Sequence, residues 1–161
     1  ALSMSWMSTK IPLYSKLIAL KDYIQLDKIF KNTLYHMIFV CVLSMIAFFS
    51  CIVFLRGFDI TINDVHISDR FLPYIPILLL LSASLANQFV GAWATYMRCH
   101  KQEPLVLQSV VVSILVMTST FLFGRYFGVI GVTLGYSIIT VFVSLPWTYF
   151  IFKSKKIEWH E

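Results

Sequence analysis

The sequence predicts an all-α, polytopic transmembrane bundle of four full spans plus an interfacial helix. Three observations predict it. Of 161 residues, 58% are hydrophobic and only 13% charged, about half the charged share of an ordinary globular chain. The apolar residues are gathered into four long runs, at 34–55, 71–97, 105–124 and 129–152. Lysines and arginines alternate between rich and poor segments from one connection to the next.

Length is the first test. A bilayer core about 30 Å thick takes about 20 residues of helix, and each of the four runs is that long without a single Asp, Glu, Lys or Arg. Four such helices buried in a soluble protein of this size would leave almost nothing to face water. The net charge of +5 does not point to nucleic acid, because the basic residues are not interleaved with aromatics on a soluble surface.

The elements follow in order. Residues 1–12, with Leu2, Met4, Trp6 and Met7 ahead of Pro12, are too short to span and read as the tail of a preceding transmembrane helix. The first residue is Ala1 and no basic, apolar and small-residue leader pattern opens the chain, so an N-terminal portion is expected before it. Residues 13–33 read as a cytoplasmic amphipathic linker, an interfacial helix with Leu17, Leu20, Ile24, Asp27 and Lys31 along one row and Lys16, Lys21 and Lys28 near the other face; a soluble linker is the alternative. Residues 34–152 hold the four transmembrane helices. Trp147 and Tyr149 suit an aromatic belt before a polar cytoplasmic tail at 153–161.

Charge sets the expected orientation. Lys10, Lys16, Lys21, Lys28 and Lys31 precede the first span, Arg98 and Lys101 separate the second and third, and Lys153, Lys155 and Lys156 follow the fourth. The other two connections hold only Arg56, Arg70 and Arg125. Basic residues are retained on the cytoplasmic side, which puts residues 10–33, 98–104 and 153–161 inside.

Polar side chains in the spans are the candidate functional groups, since amides at bilayer depth are costly unless they meet another helix or water. Ser84, Gln88, Gly91 and Thr95 recur along one face of the second span with Asn87 beside them, and Thr133, Ser137, Thr140 and Ser144 form a hydroxyl stripe on the fourth, roughly opposite Gly128, Gly131 and Gly135. The amides and hydroxyls are candidate walls of a substrate cavity, with helix-to-helix bonding as the plainer reading; the glycines read as a close-packing face. The third span carries Gln108, Ser109, Ser113 and Thr120, a weaker signal. Arg98, Lys101 and Arg125 are candidate phosphate contacts, set against a simple topological role. His36 is assigned no role, and Cys41, Cys51 and Cys99 read as small packing residues. No catalytic constellation, metal ligand set or cofactor motif is expected.

Three stretches resemble the C-terminal part of bacterial polysaccharide-export flippases of the multidrug/oligosaccharidyl-lipid/polysaccharide superfamily. They are Trp6 with Ile11-Pro12 and the run from Leu17 to Asp22 ahead of Phe30; Ala94 to Arg98 leading to His100 to Pro104; and Phe123 to Gly131 with Gly135-Tyr136, Leu145-Pro146-Trp147 and the terminal Lys156 to His160. The resemblance implies that the chain is the C-terminal part of a larger two-lobed transporter of the cytoplasmic (inner) membrane, its C-terminus cytoplasmic. It further implies translocation of a lipid-linked oligosaccharide, such as an O-antigen or lipopolysaccharide precursor, by alternating access, with membrane lipids and polysaccharide polymerase and export proteins as partners. The basic residues at depth that suit a diphosphate in such cavities are missing from these spans.

Other readings stay open. A multidrug or cation antiporter of the same superfamily needs an ionisable group at depth. A membrane-embedded glycosyltransferase or acyltransferase needs acid-base groups near a membrane face, for which the 56–70 loop offers Asp59, Asp64, His66 and Asp69. A non-transporting scaffold is the third.

Overall fold

The computed structural model describes residues 2–58, 61–62, 65–66 and 71–160. They are almost entirely helical. The helices are α1 (Leu2–Ser8), α2 (Ile11–Ala19), α3 (Tyr23–Gly57), α4 (Tyr74–Cys99), α5 (Val106–Ile138) and α6 (Leu145–His160), with a π-helical segment, Ile139–Ser144, between the last two. Strands β1 (Thr61–Ile62) and β2 (Val65–His66) pair antiparallel between α3 and α4. Asp59, Asp64, Asp69, Arg70 and the side chain of His66 lie outside the described residues.

The segment 13–33, expected as one amphipathic linker, is two pieces. Lys21 takes a left-handed backbone, φ 56°, which ends α2, and the Asp22 carboxylate accepts from the Gln25 backbone N–H at 3.1 Å to cap a new helix. From Tyr23 that helix runs without a break to Gly57. The sequence pattern across 13–33 merged the two because leucines and lysines keep the same 3.6 spacing on both sides of the break.

Three stretches of the described residues are long and apolar enough to cross a membrane: Tyr23–Gly57, Tyr74–Cys99 and Val106–Trp159. Their outer surfaces fit a membrane protein. Phe39, Leu43, Ile46 and Phe54 on α3, Ile114, Met117 and Phe121 on α5, and Phe142 and Phe150 beyond it are all exposed, a continuous apolar surface of the kind that soluble monomers rarely present.

The third stretch is not one rod. Gly128 sits at φ 59°, ψ −141°, a region that side chains disfavour, and the residues on either side of it fold onto each other. Gly131 leaves no room for a Cβ beneath the Phe123 carbonyl, and Gly135 none against Ser119 Oγ. Farther out, Gln108 Nε2 donates to Thr148 Oγ1 at 2.9 Å. Residues 106–127 and 129–160 are therefore the two arms of an antiparallel hairpin.

The second arm then runs alongside α4 in the same direction. Ser82 and Ser137 hydroxyls meet at 2.9 Å, Trp93 stacks on Phe152 at 5.9 Å, and His100 stacks on Trp159 at 4.1 Å. Lys156 Nζ closes the set on Asp27 Oδ2 at 2.6 Å, and Tyr96 OH donates to Asp27 Oδ1 at 3.2 Å. The start of α3, the end of α4 and the end of α6 thus share one end of the bundle, the lysine-rich end.

The tightest packing is at that end. Phe30 meets Tyr96 edge-on at 4.8 Å, and Tyr96 meets Phe152 edge-on at 5.3 Å, with Met7, Tyr14, Leu17, Leu26 and Met97 buried around them. In lipid the association of helices comes from such close packing and from polar bonds between them rather than from exclusion of water. At the other end Arg56 ties down the start of α4, donating to the Leu72 carbonyl at 2.7 Å and lying 4.2 Å over the Tyr74 ring.

The π segment has a local cause. Pro146 lacks an N–H and its ring would clash with the carbonyl four residues back, Phe142. Widening the turn ahead of it relieves the clash, and the Leu145 N–H accordingly bonds to Thr140 O, five residues back.

Candidate functional site

Two polar recesses lie along α4, one toward α5 and one toward α3. The first, about 310 Å³, lies where α4 ends and α5 begins. Arg98 comes from the last turn of α4, Gln102, Glu103 and Pro104 from the connection, Gln108, Ser109 and Ser113 from α5, and Ser144 from the π segment. Lys101, at φ 58°, turns the chain sharply so that α5 can return beside α4. Arg98 Nε lies 3.5 Å from Glu103 Oε1, both side chains about two-thirds exposed.

The floor of this recess is a buried polar knot. Gln108, only 3% exposed, directs its amide NH2 at Thr148 Oγ1 (2.9 Å), the Ser144 carbonyl (3.1 Å) and Ser144 Oγ (3.3 Å). Thr148 Oγ1 itself donates to the same Ser144 carbonyl at 2.8 Å. The π turn places the Ser144 side chain toward the recess while its carbonyl accepts from both partners. Buried amides need such partners.

The second recess, about 470 Å³, is a groove between α3 and α4 lined by Ser3, Cys41, Ser44, Met45, Phe48, Leu81, Ser84 and Gln88. Its lower half is filled by α1: Ser3 Oγ donates to Gln88 Oε1 at 2.9 Å, and the bare Gly91 gives space to the Met4 thioether.

The structure separates the sequence-derived candidates. Ser84 and Gln88 share the α3–α4 groove, whereas Thr95 Oγ1 is spent on the Gly91 carbonyl at 2.8 Å. Asn87 points to a different neighbour, donating to Tyr136 OH at 2.8 Å. In the hydroxyl stripe, Thr133, Ser137, Thr140 and Ser144 are all buried. Thr133 and Thr140 donate to carbonyls of their own helix, and Ser137 donates to the Leu79 carbonyl of α4 at 3.0 Å. Of the four, Ser144 alone lines a recess among those described here. Nor are the three phosphate candidates brought together: Arg98 lines the first recess, Lys101 is exposed beyond it, and Arg125 is exposed at the hairpin tip, the opposite end of the bundle.

Gln108 is the buried polar side chain that the sequence pattern undervalued. Its signal was present, an amide opening an otherwise apolar run with Ser109 and Ser113 following, but its partners are 36 and 40 residues away. Among the described residues no three His, Cys, Asp or Glu side chains are close enough to hold a metal ion. Cys41, Cys51 and Cys99 are free thiols.

Comparison with known proteins adds no relative: no family model, no curated protein and no solved structure matches the chain.

Proposed function

We propose that this chain is the four-crossing, C-terminal part of a transporter that moves a lipid-linked oligosaccharide across a bacterial cytoplasmic membrane by alternating access. The observation that supports it is the recess at the α4–α5 junction. It joins an exposed ion pair, Arg98 with Glu103, to a row of amides and hydroxyls, Gln102, Gln108, Ser109, Ser113 and Ser144, at the end of helices that are otherwise apolar. Its volume of about 310 Å³ is at the lower end of ligand pockets and suits one sugar or a phosphate group rather than a whole oligosaccharide. Polar groups placed this way in a membrane bundle mark substrate paths.

The hairpin supports four crossings, since α3, α4 and the two arms of the third stretch run in alternating directions, and the excess of Lys and Arg at the lysine-rich end supports a cytoplasmic position for it. On this reading the protein makes no covalent bond; it supplies a path. Disruption of the gene in its host should leave lipid-linked oligosaccharide on the cytoplasmic leaflet, read by its inaccessibility to externally added glycosidase. Complementation by Gln108→Leu or Arg98→Gln is expected to fall at least tenfold below wild type. Normal export from the disrupted strain would sink the proposal.

A further inference from the structure

We propose that a third recess, between α1 and α3 at the lysine-rich end, binds a phosphate group, presented by an anionic lipid headgroup or free in solution. This goes beyond the transport reading and does not depend on it. The recess, about 900 Å³ and open to the outside, is lined by Lys10, Lys28, Lys31 and His36 with Gln25, Asn32 and Trp6 among the rest, and no Asp or Glu is among the described residues of that lining. Lys10 is delivered by the turn between α1 and α2, whereas Lys28, Lys31, Asn32 and His36 fall on one face of α3 at three- and four-residue spacing.

Its charges differ from the others at this end of the molecule. Lys156 meets Asp27, Lys155 meets Glu158 at 2.6 Å, and Arg98 meets Glu103. Lys10, Lys28 and Lys31 instead line one recess with no carboxylate among its described residues, and like charges gathered in this way attract an anion. The rest of the lining fits a headgroup boundary. Trp6, 54% exposed, stacks on the His36 ring at 6.5 Å with an interplanar angle of 6°. His36 Nδ1 donates to the Asn32 carbonyl at 2.8 Å, which holds the ring in place. Tyr35 is exposed at the rim, and Trp and Tyr favour the level of lipid headgroups. Lys16 and Lys21 carry the same charge on the preceding segment but do not line the recess, so they separate a built site from a general basic surface.

The full chain in detergent, probed by native mass spectrometry with phosphatidylglycerol, phosphatidylcholine and inorganic phosphate in turn, tests this. Replacing the three lysines (K10Q, K28Q and K31Q together) is expected to weaken phosphatidylglycerol binding by about 100-fold, since each contributes independently to attraction of an anionic headgroup. Removing the same charge as K16Q, K21Q and K153Q should cost only a few-fold. Lysine-to-arginine replacement at positions 10, 28 and 31 should restore binding. If the triple glutamine variant fails to fold, K28Q and K31Q singly should each lower affinity about fivefold. Displacement of phosphatidylglycerol by excess inorganic phosphate identifies free phosphate as the ligand, and its retention identifies the headgroup; either supports the site. Equal loss in the two triple variants, or phosphatidylcholine bound as tightly as phosphatidylglycerol, overturns it.

Discussion

Gly135 shows how much a single missing side chain decides in this bundle. A Cβ there would run into Ser119 Oγ and crowd the Phe123 ring, so Gly135→Ala forces the hairpin arms apart. The expected loss is about 1–3 kcal/mol, read as a lowered thermal midpoint in detergent. Gly57→Ala, where a Cβ meets nothing within 4 Å, should leave the midpoint unchanged. Gln108 carries a comparable weight through bonds instead of space. Gln108→Leu strips the knot of its donors and should cost about 0.6–1.7 kcal/mol, the range for polar bonds between membrane helices; an unchanged midpoint would mean that Thr148 alone satisfies Ser144. Tyr14, outside the long apolar stretches, supplies a pH dependence. Burial pushes its phenol above the ordinary value of 10.0, and the hydroxyl donates to Met7 Sδ at 3.4 Å. A raised value favours the neutral form in the folded state, so this contribution is complete below about pH 10 and is lost as pH rises through the folded value. Tyr14→Phe should flatten that alkaline limb in a pH series of unfolding midpoints.

Between elements, the contact of greatest consequence is Asp27 with Lys156 and Tyr96, which ties α3, α4 and α6 together at one end. Both members of the ion pair are about a third exposed, so a double-mutant cycle of Asp27→Asn and Lys156→Gln should give a coupling of no more than about 1 kcal/mol. The coupling should shrink as salt is raised. The stacked pair His100 and Trp159 sits beside it and holds the ends of α4 and α6 together through their rings. The role of α1 is settled at this scale too. Ser84, Gln88 and Gly91 share a polar face, as their spacing indicates, yet what Gln88 and Gly91 receive is α1, through Ser3 and Met4. A helix face records that it must be covered; it does not record by what.

For the whole molecule, the number of crossings is the decisive quantity. If 106–127 and 129–160 each cross the membrane, single cysteines placed at Lys101 and Lys153 should react with an impermeant thiol reagent from one side, and cysteines at Arg125 and Phe58 from the other. The chain's own Cys41, Cys51 and Cys99 are replaced first in this experiment. Were the third stretch a single crossing, Lys101 and Lys153 would label from opposite sides. The two ends of that stretch meet in the fold, through Gln108 and Thr148, which is the physical reason to expect the first result.

The sequence by itself determined the medium and the helices: uninterrupted apolar runs of bilayer length leave the backbone no partner except itself, and Lys, Arg, Pro and Gly mark where the runs stop. The close packing of Gly131 and Gly135 was legible there for the same reason, since a bare backbone suits so near an approach, but Gly128, grouped with them by its spacing, packs against nothing within 4 Å and makes the reversal at φ 59° instead. Which polar residues meet was decided only by the tertiary structure. Thr133, Ser137 and Thr140 look like a channel wall when written as a stripe, but they are buried against neighbours once the second arm lies along α4, and Gln108 gains its importance from residues 36 and 40 positions away. The break at Lys21 also escaped the pattern, because helical periodicity continues through it. Local spacing fixes which side chains share a face, whereas the partner of that face depends on distant segments brought together by packing.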